Sequence, residues 1–234
     1  MDQPSNKPTG ALANELQNIY DLRFEHTSAY RNKVWKVLID DYISKYLKPD
    51  ASVLDLGCGY GEFINNIRAQ EKFAMDLNPR AKEFLAPQVS LFQQDCSAQW
   101  PLPDNKLDVV FTSNFFEHLP DKATLRRTLI EALRCLKPGG QLIALGPNIR
   151  LINGGYWDFW DHYLCLTDRS LAEGMRSNGF AIHTQIPAFL PYSMSLGRQY
   201  PLFALKLYLK MPFVWPLFGR QFLVVGQKNS PSSK

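Results

Sequence analysis

The chain has 234 residues, 45% of them hydrophobic and 21% charged, with a formal net charge of +4. That length and balance suit one soluble globular domain with a full core and exclude a chain that stays disordered for want of apolar residues. Four cysteines, Cys58, Cys96, Cys135 and Cys165, show no Cys-x-x-Cys spacing, which points to reduced thiols in a cytoplasmic setting.

Met1 to Gly10 is polar, contains proline and has no apolar h-region. Residues 1–11 therefore read as a disordered tail without a secretory signal. Residues 12–48 read as a helical cap anchored by Tyr20, Phe24, Tyr30, Val34, Trp35, Leu38 and Ile39. Next comes Val53-Leu54-Asp55-Leu56-Gly57-Cys58-Gly59-Tyr60-Gly61-Glu62-Phe63. A short apolar run, three glycines at every second position and then Phe63, Ile64 and Ile67 at helical spacing predict a buried parallel strand turning sharply into a helix. The glycines allow positive φ and a close approach of ligand to backbone. The helix start behind them offers unpaired N–H groups to a carboxylate or phosphate. Glu62 at the sixth position argues against a dinucleotide loop, and the Gly-Lys-Ser/Thr of a Walker loop is missing.

The arrangement Asp-x-Gly-x-Gly-x-Gly at Asp55, Gly57, Gly59 and Gly61 resembles the first motif of class I S-adenosylmethionine (SAM) dependent methyltransferases. The resemblance covers roughly residues 50–146 and implies a SAM-binding core there. It implies that the loop, Cys58 included, lies against the methionine part of SAM, and that Asp55 helps to hold it. Lys72 to Met75 predicts a second strand ending at Asp76. A carboxylate at that place can accept both ribose hydroxyls, and Leu77 follows it as a further cofactor contact. Val89 to Gln93 predicts a third strand, after which Asp95 and Cys96 fall where the family meets the adenine.

Leu107 to Ser113 predicts a fourth strand, followed by Asn114-Phe115-Phe116-Glu117-His118. Asn114 completes the cofactor set. Glu117-His118 resembles the Glu-x-x-Glu-His stretch of ubiquinone-pathway O-methyltransferases, where a divalent metal is implied. Asn114 replaces the first Glu of that pattern, so a metal is the less favoured reading and no ligand set is assigned. Leu125, Leu129, Ala132, Leu133 and Leu136 share one face of an amphipathic helix, which Lys137-Pro138-Gly139-Gly140 should stop before a fifth strand at Gln141 to Leu145.

Residues 147–166 read as an acceptor loop, because a segment leaving the carboxyl end of a central strand faces the ligand crevice. Its aromatics alternate with acids over Tyr156 to Tyr163, which suits a sugar ring or closes the core as a packed plug. His118 or His162 is the expected general base, with Glu117 and Asp161 beside them as the acids of the catalytic set. Thr167 or Asp168 should cap the next helix, and Phe180 to Ile186 and Gln221 to Gly226 should be the sixth and seventh strands.

Between these last strands lies an apolar, basic insert, residues 187–220. Gly174 to Lys234 holds seven basic residues and no acid, which leaves 19 basic against 22 acidic residues elsewhere. Its 200–218 segment is too short and too interrupted to span a bilayer. It suits a membrane interface, a substrate lid or a dimer contact. Residues 229–234 read as a tail. No motif reads nucleic acid, and no signal fixes an oligomeric state.

The expected fold is thus α/β: one Rossmann-like domain over residues 12–228, a seven-stranded mixed sheet with an antiparallel seventh strand, an N-terminal helical cap and the late insert. The expected activity is O-methylation, in the cytoplasm or peripherally on the inner face of a membrane. The acceptor is a small molecule or glycan: a sugar or lipid-linked glycan first, a quinone-like or phenolic molecule second. The non-catalytic alternative is an interaction module at a membrane.

Overall fold

The structure, a computed structural model, describes residues 28–192 and 199–230. Seven strands, β1 (Ser52–Leu56), β2 (Glu71–Met75), β3 (Val89–Phe92), β4 (Leu107–Ser113), β5 (Leu136–Pro147), β6 (Phe180–Leu190) and β7 (Gln221–Lys228), form one sheet in the order 3-2-1-4-5-7-6. β7 runs antiparallel to β5 and β6, and the remaining pairs are parallel. This is the expected Rossmann-like mixed sheet.

Both faces of the sheet are covered, so its central strands are apolar throughout. The two-residue period sorts their side chains. Leu54, Leu56, Val110, Leu142, Ala144 and Val224 face the core under helices Lys122–Cys135 and Asp168–Ser177. Val53, Val109, Phe111, Ile143, Leu145, Leu223 and Val225 face the opposite core. There Trp35, from helix Ser28–Asp41, meets Phe63 and Phe111 edge-on at 6.1 and 5.8 Å. Asp121 caps one core helix by accepting from Thr124 N–H, and Thr167 caps the other with Ser170 in a reciprocal capping box.

Three boundaries differ from expectation. β5 begins at Leu136, so Lys137 to Gly140 belong to a strand. The helix stops at Cys135 because Leu136 is already extended, with φ −69° and ψ 139°. β6 and β7 also run on, to Leu190 and Lys228. β6 runs through Pro187, a residue that usually interrupts strands, and β7 adds the polar Gln227 and Lys228, which apolar pattern does not reveal.

The insert folds back on the domain. Helix Leu202–Leu209 lies against helix Ser28–Asp41, and Tyr30 Oη donates to the Tyr200 carbonyl at 2.9 Å. Trp215 is buried and donates from Nε1 to the Tyr208 carbonyl at 2.8 Å, while Tyr208 Oη donates to the Phe189 carbonyl at 2.9 Å. Pro212 and Pro216 stand in the first turns of two short helical segments, Pro212–Val214 and Trp215–Phe218, where a missing N–H costs nothing. Residues 12–27 of the expected cap, with Tyr20, Arg23 and Phe24, lie outside the described residues.

Candidate active site

The sheet order reverses between β1 and β4, which opens a crevice at their carboxyl ends. The glycine turn leaves β1 at that crevice. Gly57, Gly59 and Gly61 have φ of +72°, +50° and +69°, as the spacing predicts. A Cβ at Gly57 would lie 2.3 Å from the Phe115 ring, so that ring packs directly on the turn. Gly59 N–H donates to Asp76 Oδ2 at 2.8 Å and Asn78 N–H donates to Oδ1 at 2.9 Å. Asp76 therefore holds the turn from the neighbouring strand.

Asp55 is buried, and the backbone N–H of Ile64 donates to its carboxylate. Burial, and then the charge of Glu62, push its pKa well above the carboxylate range. Burial raises Glu62 and Asp76 as well. Arg31 offsets the charge of Glu62 through a 2.8 Å ion pair, with its side chain only 14% exposed. This pairing places Arg31 against the glycine helix. Asp55 feels the charges of Glu62 and Asp76, so a cationic ligand group at the turn would relieve this crowding.

Cys58 is buried, and burial followed by Asp76 raises its thiol well above its ordinary value. Leu77 is half-buried beside the turn. Asp95 is exposed and accepts from Ser97 N–H at 2.7 Å. Cys96 is buried 3.2 Å from Thr128 Oγ1, its thiol pushed up to about 12 by burial. Asn114 has φ +50° and lies between β4 and Phe115. Its Oδ1 is buried without a hydrogen-bond partner among the described residues. A buried amide oxygen with nothing to accept suits a ligand that donates hydrogen bonds. The acidic turn and this acceptor fit SAM, whose amino acid part carries a cationic amine beside a sulfonium.

The second cluster follows β4. Tyr163 N–H and Leu164 N–H both donate to the Glu117 carbonyl, at 2.9 and 3.0 Å, and so bind the acceptor loop to the β4 exit. His118 Nδ1 lies 2.8 Å from the Asp161 carbonyl and 3.2 Å from Asp161 Oδ2. His162 Nδ1 lies 2.9 Å from the Tyr156 carbonyl. A carbonyl oxygen only accepts, so each Nδ1 carries a proton and Nε2 is the basic atom of each ring. The two rings meet edge-on at 5.1 Å.

Burial alone would lower the pKa of His118, but its bond to the Asp161 carboxylate and the charge of Glu117 raise it above 6.5. Burial pushes Glu117 up to about 7, against the lowering effect of His118. Ligand atoms of Glu117, His118 and His162 lie within 4.8 Å of one another, so these three could hold a divalent metal.

Glu117 has a consequence for stability. A folded pKa near 7 against 4.5 unfolded means that its contribution is fully present below pH 4.5 and is lost as pH rises through about 7. Glu117→Gln removes that ionisation. Relative to the parent, the chelator-treated variant should gain about 3 kcal/mol between the two limits, at 1.36 kcal/mol per pKa unit. Urea unfolding across that pH range checks it, and parallel curves for the two proteins would contradict it.

Sequence reading missed three participants. Phe115 sits inside a motif already noted, yet its contact with Gly57 is tertiary. Tyr156 positions His162 through its carbonyl and donates from Oη to the Leu164 carbonyl at 2.6 Å. Asn148 joins β5 to Asp168 and to the Pro187 carbonyl at 2.9 Å each, which pins the start of the acceptor loop.

The profile of the methyltransferase domain family matches residues 28–185. A 2-methyl-6-phytyl-1,4-hydroquinone methyltransferase of Synechocystis sp. is 29% identical over 153 residues, 57% of this chain and 47% of that one. A probable chloroplastic tocopherol O-methyltransferase of Oryza sativa subsp. japonica is 31% identical over 108 residues, 41% of this chain and 29% of that one. The chain thus spans half or less of the length of these curated relatives. A crystal structure of a SAM dependent methyltransferase from Archaeoglobus fulgidus shares the fold with a TM-score of 0.64 and 22% identity, covering 88% of this chain and 99% of its own. With the Gly57–Gly61 turn and Asp76 at the β1–β4 crevice, the chain belongs to the methyltransferase domain family.

Proposed function

We propose that the protein methylates a hydroxyl group of a phenolic or quinol-like small molecule, using SAM as donor. The observation that carries this reading is the His118–Asp161 pair, a base oriented by a carboxylate. When bound, SAM supplies an electrophilic sulfonium methyl. The Gly57–Gly61 turn, Asp76 and Asn114 would hold it, with Leu77, Asp95 and Cys96 as further contacts toward the adenosine. His118 Nε2 takes the acceptor proton, and the imidazolium is stabilised by Asp161. Asp161 is thereby a positioning residue, and His162, fixed by Tyr156, walls the other side.

A histidine base decides between acceptors. A phenol has a pKa of about 10, whereas water-like hydroxyls lie at about 16. A histidine base raised above its ordinary value is far better matched to the phenol. The hydroquinone and tocopherol in the names of two relatives support the same reading. The exposed rings of Trp157, Trp160 and Tyr163 on the acceptor loop suit a flat aromatic ring.

The test is calorimetry with SAM followed by product mass spectrometry with a hydroquinone and with a simple sugar. SAM binding and a methoxy product from the hydroquinone alone are expected. Methylation of the sugar alone would reverse the acceptor assignment, and no SAM binding would favour a non-catalytic module. The second reading is a metal held by Glu117, His118 and His162 that would lower the pKa of an acceptor hydroxyl. Loss of turnover in chelator, restored by Mg²⁺ or Mn²⁺, would select it.

A further inference from the structure

The insert buries one side and leaves the other bare. Six of the eleven large apolar side chains exposed among the described residues fall in 200–218: Tyr200, Phe203, Leu207, Phe213, Leu217 and Phe218. Phe203 and Phe213 are 72% and 75% exposed. Leu202, Leu205, Tyr208 and Leu209 pack inward. Phe203, Lys206, Leu207 and Lys210 are spaced i, i+3, i+4 and i+7, so they share the outward helix face. Burial in this domain cannot be the reason for two large apolar residues on that face.

Charge accompanies them. Phe203 lines a groove of about 470 Å³ together with Lys33, Lys36 and Lys206, and Asp40 is the one acid among its lining residues. Two lysines thus come from the N-terminal helix and one from the insert, 170 residues later in the chain. Gly174 to Lys234 adds no acid anywhere. Exposed apolar side chains concentrated in one segment, with lysines beside Phe203, mark an interaction surface. No helix among the described residues is long and apolar enough to cross a membrane.

We infer that this face docks on an anionic lipid bilayer, lying in the interface without spanning it. Phe203, Leu207, Phe213, Leu217 and Phe218 enter the boundary between headgroups and chains. Lys33, Lys36, Lys206 and Lys210 meet lipid phosphates, their stems lying along the apolar residues. Self-association through this patch fits less well. A two-fold contact would set these lysines against their own copies, with almost no acid to pair them.

The inference stands apart from the methyl-transfer reading, and its test needs no turnover. The full chain is floated with vesicles of phosphatidylcholine plus phosphatidylglycerol, and with phosphatidylcholine alone, at low and high salt. Binding to the anionic vesicles that weakens with salt is expected. Each lysine near the surface is worth about fivefold, so Lys206→Gln with Lys210→Gln should weaken binding about 25-fold. Phe203→Ser with Phe213→Ser should abolish the part that survives high salt. All four positions are exposed, so circular dichroism and SAM affinity should not change. A parent protein that stays unbound at low salt overturns the inference, whatever the variants do. Equal binding to neutral and anionic vesicles also overturns it. So does a mass that doubles with concentration, reverts in the phenylalanine variant and comes without vesicle binding.

Discussion

His118→Ala should lower turnover about 10²- to 10⁴-fold and leave SAM affinity unchanged. In the proposed reaction Nε2 takes the acceptor proton, and the Nδ1–H is fixed by the Asp161 carbonyl at 2.8 Å. The pH profile gives a second readout. A base works only when unprotonated, so the parent rate should rise with pH through a value above 6.5. Asp161→Asn removes the carboxylate that does most to raise this pKa and leaves burial, which lowers it, opposed by the charge of Glu117 and the Asp161 carbonyl alone. Its inflection should therefore move to lower pH while its maximum rate falls. Stopped assays across the pH range, with SAM affinity by calorimetry, test both. An unchanged inflection in the Asp161 variant would assign His118 a structural role, and full activity in His118→Ala would remove it as the base. His162→Ala serves as the comparison, because its Nδ1–H is held by a carbonyl, that of Tyr156 at 2.9 Å.

Gly57→Val should abolish measurable SAM binding. The new side chain must adopt φ near +72° and enter space held by the Phe115 ring, 2.3 Å from the ideal Cβ. Such strain costs about 1–3 kcal/mol and overpacking adds a similar amount, so the turn shifts away from its ligand-binding form. Asp76→Ala acts on the same turn more gently. It strands the N–H groups of Gly59 and Asn78, each worth about 1–3 kcal/mol when left unpaired. SAM affinity should fall about 10-fold or more, at 1.4 kcal/mol per tenfold. Asp76→Asn retains one acceptor oxygen and should fall between the alanine variant and the parent. Calorimetry with melting curves separates lost binding from lost folding. Parent-like affinity in both Gly57→Val and Asp76→Ala would dismiss the turn as the cofactor site.

β1 and β4 were legible because buried parallel strands must be apolar on both faces, as in Ser52–Leu56 and Leu107–Ser113. The turn between β1 and its helix was legible because L-residues resist positive φ and glycine does not. The ends of β5, β6 and β7 were not. Lys137 to Gly140 carries residues that punctuate chains elsewhere, yet they extend here because the helix has already stopped at Cys135. Arg31 illustrates a different limit. Its place on a cap helix was readable, but its partner Glu62 lies 31 residues away across the glycine turn.

By itself, then, the sequence determined the glycine turn, the cores of the strands and the residues at the carboxyl ends of β1, β2 and β4, since local sterics and two-residue periodicity act within a few neighbours, while the mixed sheet was what the family resemblance implied. Only the tertiary structure decided the chemistry of the second cluster. His118 and Asp161 are 43 residues apart, and two N–H groups of the acceptor loop on one Glu117 carbonyl bring them together. The same holds for the exposed apolar patch, where the outward face of a late helix meets Lys33 and Lys36 of an early one. Hydrogen-bond partners and charge neighbourhoods depend on distances through space, and those exist only once the chain has closed on itself.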